Sequence, residues 1–414
     1  MKHRFVRVFI LLLAAIVPGA AAQEAGGPPP VEVSRISPTL YQLRCNGNVA
    51  VLASVGKDGT LLVDTGYTGT AAAVREELTK LGSGPVRMVV NTHGDMDHVG
   101  GNAELGRGAV IIASPNVSRR MSTYFALPPV ETAGLPMLTL DGAATVQFND
   151  DLIRIIPIPG GHTDGDVIVH FTRSGIACVG DLVLLGTFPN ADPARGGDAQ
   201  RLIEVLAEIQ KILPPDTTLV AAHGGSFTMA ELEIYIGMVR GTVAAVAAEM
   251  DAGNTLEEII THNPLAPWSD WESPENGLSF ERWTTEVYAS LGGEGPQSIC
   301  APVTEALEQS GAEAAVARYR RLKNSEPERW TLGENELNML GYQLLARDRI
   351  DEAVVIFKLN VEAYPEAFNT YDSLGEALML AGQTSDAITS YERSLELNPN
   401  NTNAVAMLDR LRDE

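Results

Sequence analysis

The stretch at residues 91–102 reads Asn91-Thr92-His93-Gly94-Asp95-Met96-Asp97-His98-Val99-Gly100-Gly101-Asn102. It places two histidines and two aspartates within six residues, directly after the apolar run Val86–Val90. A loop at the C-terminal end of a strand is where α/β folds place their chemistry. Imidazole and carboxylate groups at this spacing can be aimed by one short loop at a divalent metal ion. The alternative interpretation is a solvated acidic turn with two incidental histidines.

Three more donors follow short β-type runs later in the chain. His162 lies on the glycine-rich turn Gly160–Asp166, Asp181 follows the apolar run Ile176–Val179, and His223 follows Thr218–Ala221. Because each donor stands at the end of a strand, the pattern predicts that they meet the first loop at one site.

The N-terminus has the pattern of a secretory signal over residues 1–22. A basic start precedes the apolar run Val8–Val17, and small residues precede Gln23. Ten apolar residues are too few to span a bilayer, so the segment predicts cleavage, not anchoring. We therefore expect a periplasmic or secreted mature chain that has no membrane partner.

The composition is that of a folded, acidic protein with more than one domain. The 414 residues are 45% hydrophobic and 20% charged, and such a length exceeds one ordinary core. The chain has 30 basic and 53 acidic residues, and loss of three basic residues with the signal takes the net charge from −23 to −26. Such a surface repels nucleic acid, which we exclude as a partner.

The three cysteines are an odd number for an oxidising compartment. Cys178 falls in an apolar run and is expected to be a buried thiol. Whether Cys45 and Cys300 form a disulfide is left open by the sequence.

The order of β-type and helical segments predicts two sheets packed face to face, with helices outside, over residues 31–250. Residues 251–302 are rich in proline and tryptophan and are predicted to be a connector whose tryptophans pack onto a domain surface. From residue 303 to 414 the chain reads as helical. There Leu340, Gly341, Ala353, Phe357 and Pro365 recur 34 residues later, as Leu374, Gly375, Ala387, Tyr391 and Pro399.

A 34-residue period of this kind resembles tetratricopeptide repeats. Two units are clear, and residues 303–324 are expected to supply a degenerate helical cap. Such a domain would either recognise a protein or peptide partner or only pack against the rest of the molecule.

The order of the donor motifs over residues 31–250 resembles the metallo-β-lactamase superfamily of hydrolases. The resemblance extends to Asp64-Thr65-Gly66 and Phe188-Pro189-Asn190. It implies a four-layer αβ/βα sandwich with two divalent metal ions in a groove between the sheets. Carried over residue by residue, it assigns His93, Asp95 and His162 to the first metal, Asp97, His98 and His223 to the second, and Asp181 to both, as in glyoxalase II-like and lactonase-like branches.

One position departs from the family pattern. The family usually has His-x-His-x-Asp-His, whereas this chain has Asp95 in place of the second histidine. A carboxylate adds negative charge and a harder donor, which favours iron or manganese over zinc. The flavodiiron branch similarly carries a carboxylate there, but its flavodoxin-like domain is not visible in this sequence. We therefore expect zinc first, with iron or manganese as alternatives.

The resemblance implies metal-assisted hydrolysis of an ester, thioester, lactone or amide bond of a small-molecule substrate, a β-lactam included. Water bound to the metals would be deprotonated near neutral pH, and Asp97 would orient the resulting hydroxide. Substrate choice is expected to lie in the loops 122–138 and 188–198. Two alternatives are a non-haem di-iron oxidoreductase of the same superfamily and a non-catalytic binding module with a structural metal site. His170 and His262 are not expected to be ligands.

Overall fold

The computed structural model describes residues 31–45, 48–124, 131–191, 193–273, 278–294, 297–345, 347, 349–399 and 401–413. The predicted signal at residues 1–22 lies outside these ranges, as does part of the predicted substrate loop 122–138. Across the described ranges, no helix has the length and apolar character needed to cross a membrane.

Two mixed sheets form the first part of the molecule. The first sheet has the spatial order β1 (Val31–Arg35), β2 (Leu40–Cys45), β3 (Val49–Gly56), β4 (Gly59–Val63), β5 (Val86–Val90), β6 (Val110–Ala113) and β7 (Leu138–Thr139). The second contains β8 (Ala144–Phe148), β9 (Asp151–Pro157), β10 (Val167–Phe171), β11 (Ile176–Gly180), β12 (Thr218–Ala221) and β13 (Gly225–Phe227), in reverse spatial order. The short strands β7 and β13 were not predicted, because neither has a long apolar run.

This part of the described chain also has eight α-helices. They are α1 (Ala71–Lys80), α2 (Met96–Val99), α3 (Asn102–Leu105), α4 (Pro115–Tyr124), α5 (Ala199–Ile212), α6 (Met229–Asp251), α7 (Leu256–His262) and α8 (Phe280–Ser290). Leu61 and Val90 of the first sheet share one buried core with Val169 and Val220 of the second. Separate cores join the first sheet to α1 and the second to α5 and α6. These layers confirm the predicted αβ/βα sandwich.

The segment predicted to be a connector, residues 251–302, includes a helix that packs on the sandwich. It contains α7 and α8, and Trp283 and Val287 of α8 belong to the same buried core as α5 and α6. The indole N–H of Trp283 donates to the Thr242 hydroxyl at 2.9 Å. The tryptophans are expected to pack onto a domain surface, and Trp283 does so: its buried indole needs a hydrogen-bond partner, which α6 supplies. The sandwich therefore extends through α8.

Paired helices form the C-terminal part. They are α9 (Cys300–Ser310), α10 (Ala312–Ser325), α11 (Glu334–Leu345), α12 (Ile350–Ala363), α13 (Phe368–Leu380), α14 (Thr384–Leu397) and α15 (Thr402–Asp413). A Cβ atom at Gly341 would lie 2.5 Å from the Phe357 ring, so the glycine lets α11 and α12 cross closely. The region is not purely helical, because β14 (Gln297–Ser298) pairs with β15 (Trp330–Thr331).

All three cysteines are free thiols. Cys45 and Cys178 are buried in different cores of the sandwich, whereas Cys300 packs against the core of the helical region. The structure therefore has no bond between Cys45 and Cys300, the pairing that the sequence left open.

Candidate metal centre

The two sheets meet at the carboxyl ends of their parallel strands. Strand β4 runs parallel to β5 in the first sheet, and β11 runs parallel to β12 in the second. The backbone N–H of Ala50 donates to the carbonyl of Ala222 at 2.9 Å, and that of Val167 donates to the carbonyl of Thr92 at 2.8 Å, so the sheets are joined at this edge. The residues that follow β5, β11 and β12 are thereby brought to one place.

Local backbone geometry directs the donors inward. Helix α2 begins directly after Asp95 and carries Asp97 and His98 on its single turn. Gly180, which precedes Asp181, has a φ of 56°, and a Cβ atom there would lie 2.9 Å from Thr92. Glycine is required at such a left-handed, crowded position.

The first group of predicted ligands consists of His93, Asp95 and His162, whose ligand atoms lie within 4.8 Å of one another. Oδ2 of Asp95 lies 3.7 Å from Nε2 of His93 and 3.5 Å from Nε2 of His162. The two imidazoles are fully buried, whereas 20% of the Asp95 side chain is exposed. The site is therefore buried on the histidine side and open at Asp95.

The second group consists of Asp97, His98 and His223, again within 4.8 Å. Oδ2 of Asp97 lies 3.1 Å from Nε2 of His223 and 3.6 Å from Nε2 of His98. Asp97 and His223 are both half-buried and form the open rim, while His98 is fully buried.

Asp181 lies between the groups. Its carboxylate oxygens are 3.9 Å from Nε2 of His93, 3.5 Å from Nε2 of His98 and 3.4 Å from Nε2 of His223. The structure therefore brings all seven predicted ligands together, in the two groups and with the central carboxylate that the sequence suggested.

Each histidine donates its outer ring N–H to a fixed partner. Nδ1 of His162 lies 2.7 Å from the carbonyl of Asn190, Nδ1 of His223 lies 2.8 Å from Oδ1 of Asn48, and Nδ1 of His98 lies 2.9 Å from Oδ2 of Asp64. The Thr92 hydroxyl donates to Asp64, so it accepts from Nδ1 of His93 at 3.0 Å. Such partners fix the tautomer and turn the Nε2 lone pair toward the centre, as in metal sites.

The inner atoms fit divalent cations. Nε2 of His93, His98 and His162 and Oδ1 of Asp181 are buried and have no hydrogen-bond partner in the described part of the chain. Buried polar atoms without partners are costly, and here they converge from separate elements on one point. Imidazole nitrogen and carboxylate oxygen are ligands for zinc, iron and manganese. The clusters are consistent with a binuclear metal site.

The carboxylates and imidazoles of the site set one another's charge. Burial opposes a charged His223, but Asp181 and Asp97 outweigh it and raise its pKa to about 9. Burial likewise opposes charge on His98, yet Asp181 and Asp97 hold its pKa well above the usual range. Burial, reinforced by the neighbouring His98, lowers the pKa of His93 to about 3. The site therefore holds protons that a metal ion would displace.

Several residues at the site were not named as functional from the sequence. Arg195 pairs with Asp95, Asn48 holds His223, and Tyr67 lies beside Asn48 at 3.5 Å. Asn190 was noted only as part of a family motif, and its carbonyl holds His162. Backbone carbonyls and single polar residues carry no spacing pattern, so the sequence gives little signal for them.

The remaining histidines of the described chain lie apart from the seven ligands. His170 is buried in β10, and His262 lies 2.8 Å from Glu249 on the far helices. Asp166 accepts from the backbone N–H of His162, not from its ring, so it shapes the turn that carries the ligand.

A sandwich of two sheets that meet at buried histidines and aspartates defines a class of metal-dependent hydrolases. Comparison with known proteins agrees. A model described as "Metallo-beta-lactamase superfamily" matches residues 43–224, and one described as "Tetratricopeptide repeat" matches residues 368–401. The second match confirms the prediction of a C-terminal tetratricopeptide repeat over residues 368–401.

Curated relatives support the same superfamily. A hydroxyacylglutathione hydrolase from Gloeobacter violaceus is 31% identical over 236 residues, which are 56% of this chain and 84% of that one. One from Erythrobacter litoralis is 29% identical over 171 residues, and the chain spans 61% of its length. A double mutant of the sec-alkyl sulfatase PisA1 shares the fold, with a TM-score of 0.51, 15% identity, and coverage of 89% of this chain and 65% of that one. The chain belongs to the metallo-β-lactamase superfamily and is a hydrolase of that fold.

Proposed function

We propose that the chain is a periplasmic or secreted hydrolase that uses two divalent metal ions, zinc first, to cleave a thioester or a related ester, lactone or amide. The observation that carries the proposal is the Asp181 carboxylate, which lies within 4.0 Å of imidazoles in both donor groups. Support for a thioester comes from the relatives, which are named hydroxyacylglutathione hydrolases.

The donors divide naturally between two ions. His93, Asp95 and His162 would hold one, Asp97, His98 and His223 the other, and Asp181 would contact both. Bound ions of this kind supply an acidified water and a Lewis acid for a carbonyl oxygen.

The chain's own residues arrange the reaction around these ions. Fixed outer partners keep the four imidazoles in place, which spares reorganisation when charge develops on the substrate. Asp95, Asp97 and His223 are the half-buried members on the open side, so a substrate carbonyl would reach the site past them. The Asp97 carboxylate is placed to orient the attacking water by accepting a hydrogen bond from it.

Turnover by purified, metal-defined protein tests the proposal. Protein stripped of metal and reloaded with zinc, iron or manganese is assayed on a hydroxyacyl thioester of glutathione, an aryl ester, a lactone and a β-lactam. We expect thioester hydrolysis that Asp97→Asn abolishes and His262→Gln, a histidine far from the site, leaves intact. Absence of hydrolysis in all metal forms, or full activity of Asp97→Asn, would refute the proposal.

A second candidate is a di-iron oxidoreductase, which the carboxylate of Asp95 in the first group favours. Metal analysis and oxygen uptake with an electron donor distinguish the two. A non-catalytic module is less supported, because a degenerate site would not keep seven converging donors.

The repeat region is proposed to bind a protein or peptide. Pull-down with the full chain and with a repeat-surface variant, Arg393→Glu, tests this role. Arg393 pairs with the exposed Glu396, so the exchange alters the surface and not the core.

A further inference from the structure

The guanidinium of Arg195 reaches into the first donor group. Its Nη1 pairs with Oδ2 of Asp95, the same oxygen that faces Nε2 of His93 and Nε2 of His162. About a fifth of each partner's side chain is exposed, so the pair is only partly screened by water. Arg195 therefore contacts the one ligand by which this chain departs from the family pattern.

The arginine is held in place by several contacts. Its Nη2 donates to Oδ1 of Asn190 at 3.1 Å, and its carbonyl accepts from the backbone N–H of Asp164 and from Nη2 of Arg120, each at 3.0 Å. The carbonyl of Asn190 also accepts from Nδ1 of His162. Asn190 and Arg195, which are close in sequence, thus position two members of the first group.

The pair has a simple consequence for charge. A histidine at position 95 would contribute no charge to the group, whereas Asp95 contributes one negative charge. The Arg195 guanidinium, which is always protonated, offsets that charge and draws electron density from the oxygen that would donate to a metal.

We propose that Arg195 is a positioning residue that, acting through Asp95, restores the charge of a histidine-type site and so keeps the first group selective for zinc over harder ions. The inference rests on the proposed metal-dependent function. Without Arg195, the negative charge of Asp95 would not be offset, and Asp95 would act as a harder donor. The affinity for manganese or iron would then rise relative to the affinity for zinc.

A double-mutant cycle on the full chain tests the energetic coupling between Arg195 and Asp95. The proteins are wild type, Arg195→Gln, Asp95→His and the double variant, with Arg201→Gln as the matched control, since Arg201 pairs with Glu204 and Glu208 away from the donors. Zinc and manganese dissociation constants of the metal-free proteins are measured by competition with a chromophoric chelator.

We expect Asp95→His alone to weaken zinc binding, because Arg195 then faces the metal without a carboxylate, and Arg195→Gln to relieve that loss by about tenfold. Arg195→Gln alone should raise the affinity for manganese relative to zinc by a similar factor, while Arg201→Gln changes neither. Equal zinc affinities of Asp95→His with and without Arg195 would overturn the proposal.

A variant that conserves charge guards against misfolding. Arg195→Lys keeps the positive charge, so zinc binding by Asp95→His should remain weak when it is combined with Arg195→Lys. Circular dichroism of each metal-free protein checks the fold. If Arg195→Lys restores the zinc affinity of Asp95→His as much as Arg195→Gln does, the effect does not depend on charge and the proposal is refuted. These measurements of metal binding do not require turnover. If Arg195 and Asp95 are coupled in a protein that hydrolyses no substrate, this inference is upheld and only the proposed function is refuted.

Discussion

The carboxylate of Asp64 lies 2.9 Å from Nδ1 of His98 and also accepts hydrogen bonds from the backbone N–H and the hydroxyl of Thr92, at 2.8 and 2.7 Å. Asp64 is fully buried and has a φ of 60°, at the end of β4. One side chain thereby joins the turn after β4 to the loop after β5. It also orients, through Thr92, the imidazole of His93.

Asp64→Asn is expected to weaken metal binding while the fold is kept. Asparagine tolerates the left-handed backbone conformation and can still accept from Thr92, but it lacks the charge that holds the His98 N–H. We expect a loss of about 10- to 100-fold in zinc affinity, as for other outer partners of metal-binding histidines. Chelator competition measures the affinity.

Asp151→Asn is the matched control for a buried aspartate. Asp151 accepts from the backbone N–H groups of Arg173 and Ser174 in the turn after β10, away from the donors. Its exchange should change stability but not zinc affinity. If both variants bind zinc as the wild type does, Asp64 has no role in orienting the ligand.

Metal uptake should release protons at neutral pH. The carboxylates of Asp181 and Asp97 raise the pKa of His223 to about 9, although burial opposes this, and they hold that of His98 higher than usual. Zinc must displace these protons, so its affinity should rise as the pH increases toward 9. Calorimetry in buffers of different ionisation enthalpy measures the number of protons released.

The raised pKa of His223 also determines how the stability of the metal-free protein depends on pH. Because the folded pKa of His223 lies above its usual value of 6.5, its ion pairs stabilise the fold fully below pH 6.5, and this contribution is lost as the pH rises through about 9. His223→Gln should abolish that part of the pH dependence. Binding heats that do not depend on the buffer would contradict both expectations.

The clustering of the seven donors could be predicted because they follow strands in a local sequence pattern. Four of the seven donors stand in residues 93–98, and the other three each follow an apolar run that forms a strand. Since parallel strands end at one edge, a pattern of strand followed by donor locates the site without a structure.

The partners of those donors could not be predicted in the same way. Asn190 acts through its backbone carbonyl, which every residue has, and Arg195 reaches Asp95 across about a hundred residues of chain. The hydrogen bond from Trp283 to Thr242 is likewise a tertiary contact between distant parts of the chain. Sequence pattern records periodicity and local spacing, and these contacts have neither.

Tyr67→Phe should lower turnover without changing metal content. The hydroxyl lies 3.5 Å from the amide nitrogen of Asn48, whose oxygen holds His223. Burial and the nearby Asp97 carboxylate raise the pKa of Tyr67, so the phenol stays protonated and can donate to a substrate or leaving group. We expect about a tenfold or greater fall in kcat with unchanged zinc stoichiometry. Tyr41→Phe, on β2, is the matched control, and equal kcat values would exclude the role.

Gly341→Ala tests whether the repeat helices pack as tightly as the glycine suggests. A Cβ atom there would lie 2.5 Å from the Phe357 ring, and overpacking of this kind costs about 1–3 kcal/mol, more than alanine gains in helix propensity. Gly237→Ala in α6 is the matched control, because a Cβ atom there would meet nothing within 4 Å, and it should stabilise the protein by up to about 1 kcal/mol. Denaturant unfolding measures both changes, which should have opposite signs. Since neither glycine contacts a donor, zinc affinity should stay constant in both variants, and a stable Gly341→Ala would show that α11 and α12 can separate without cost.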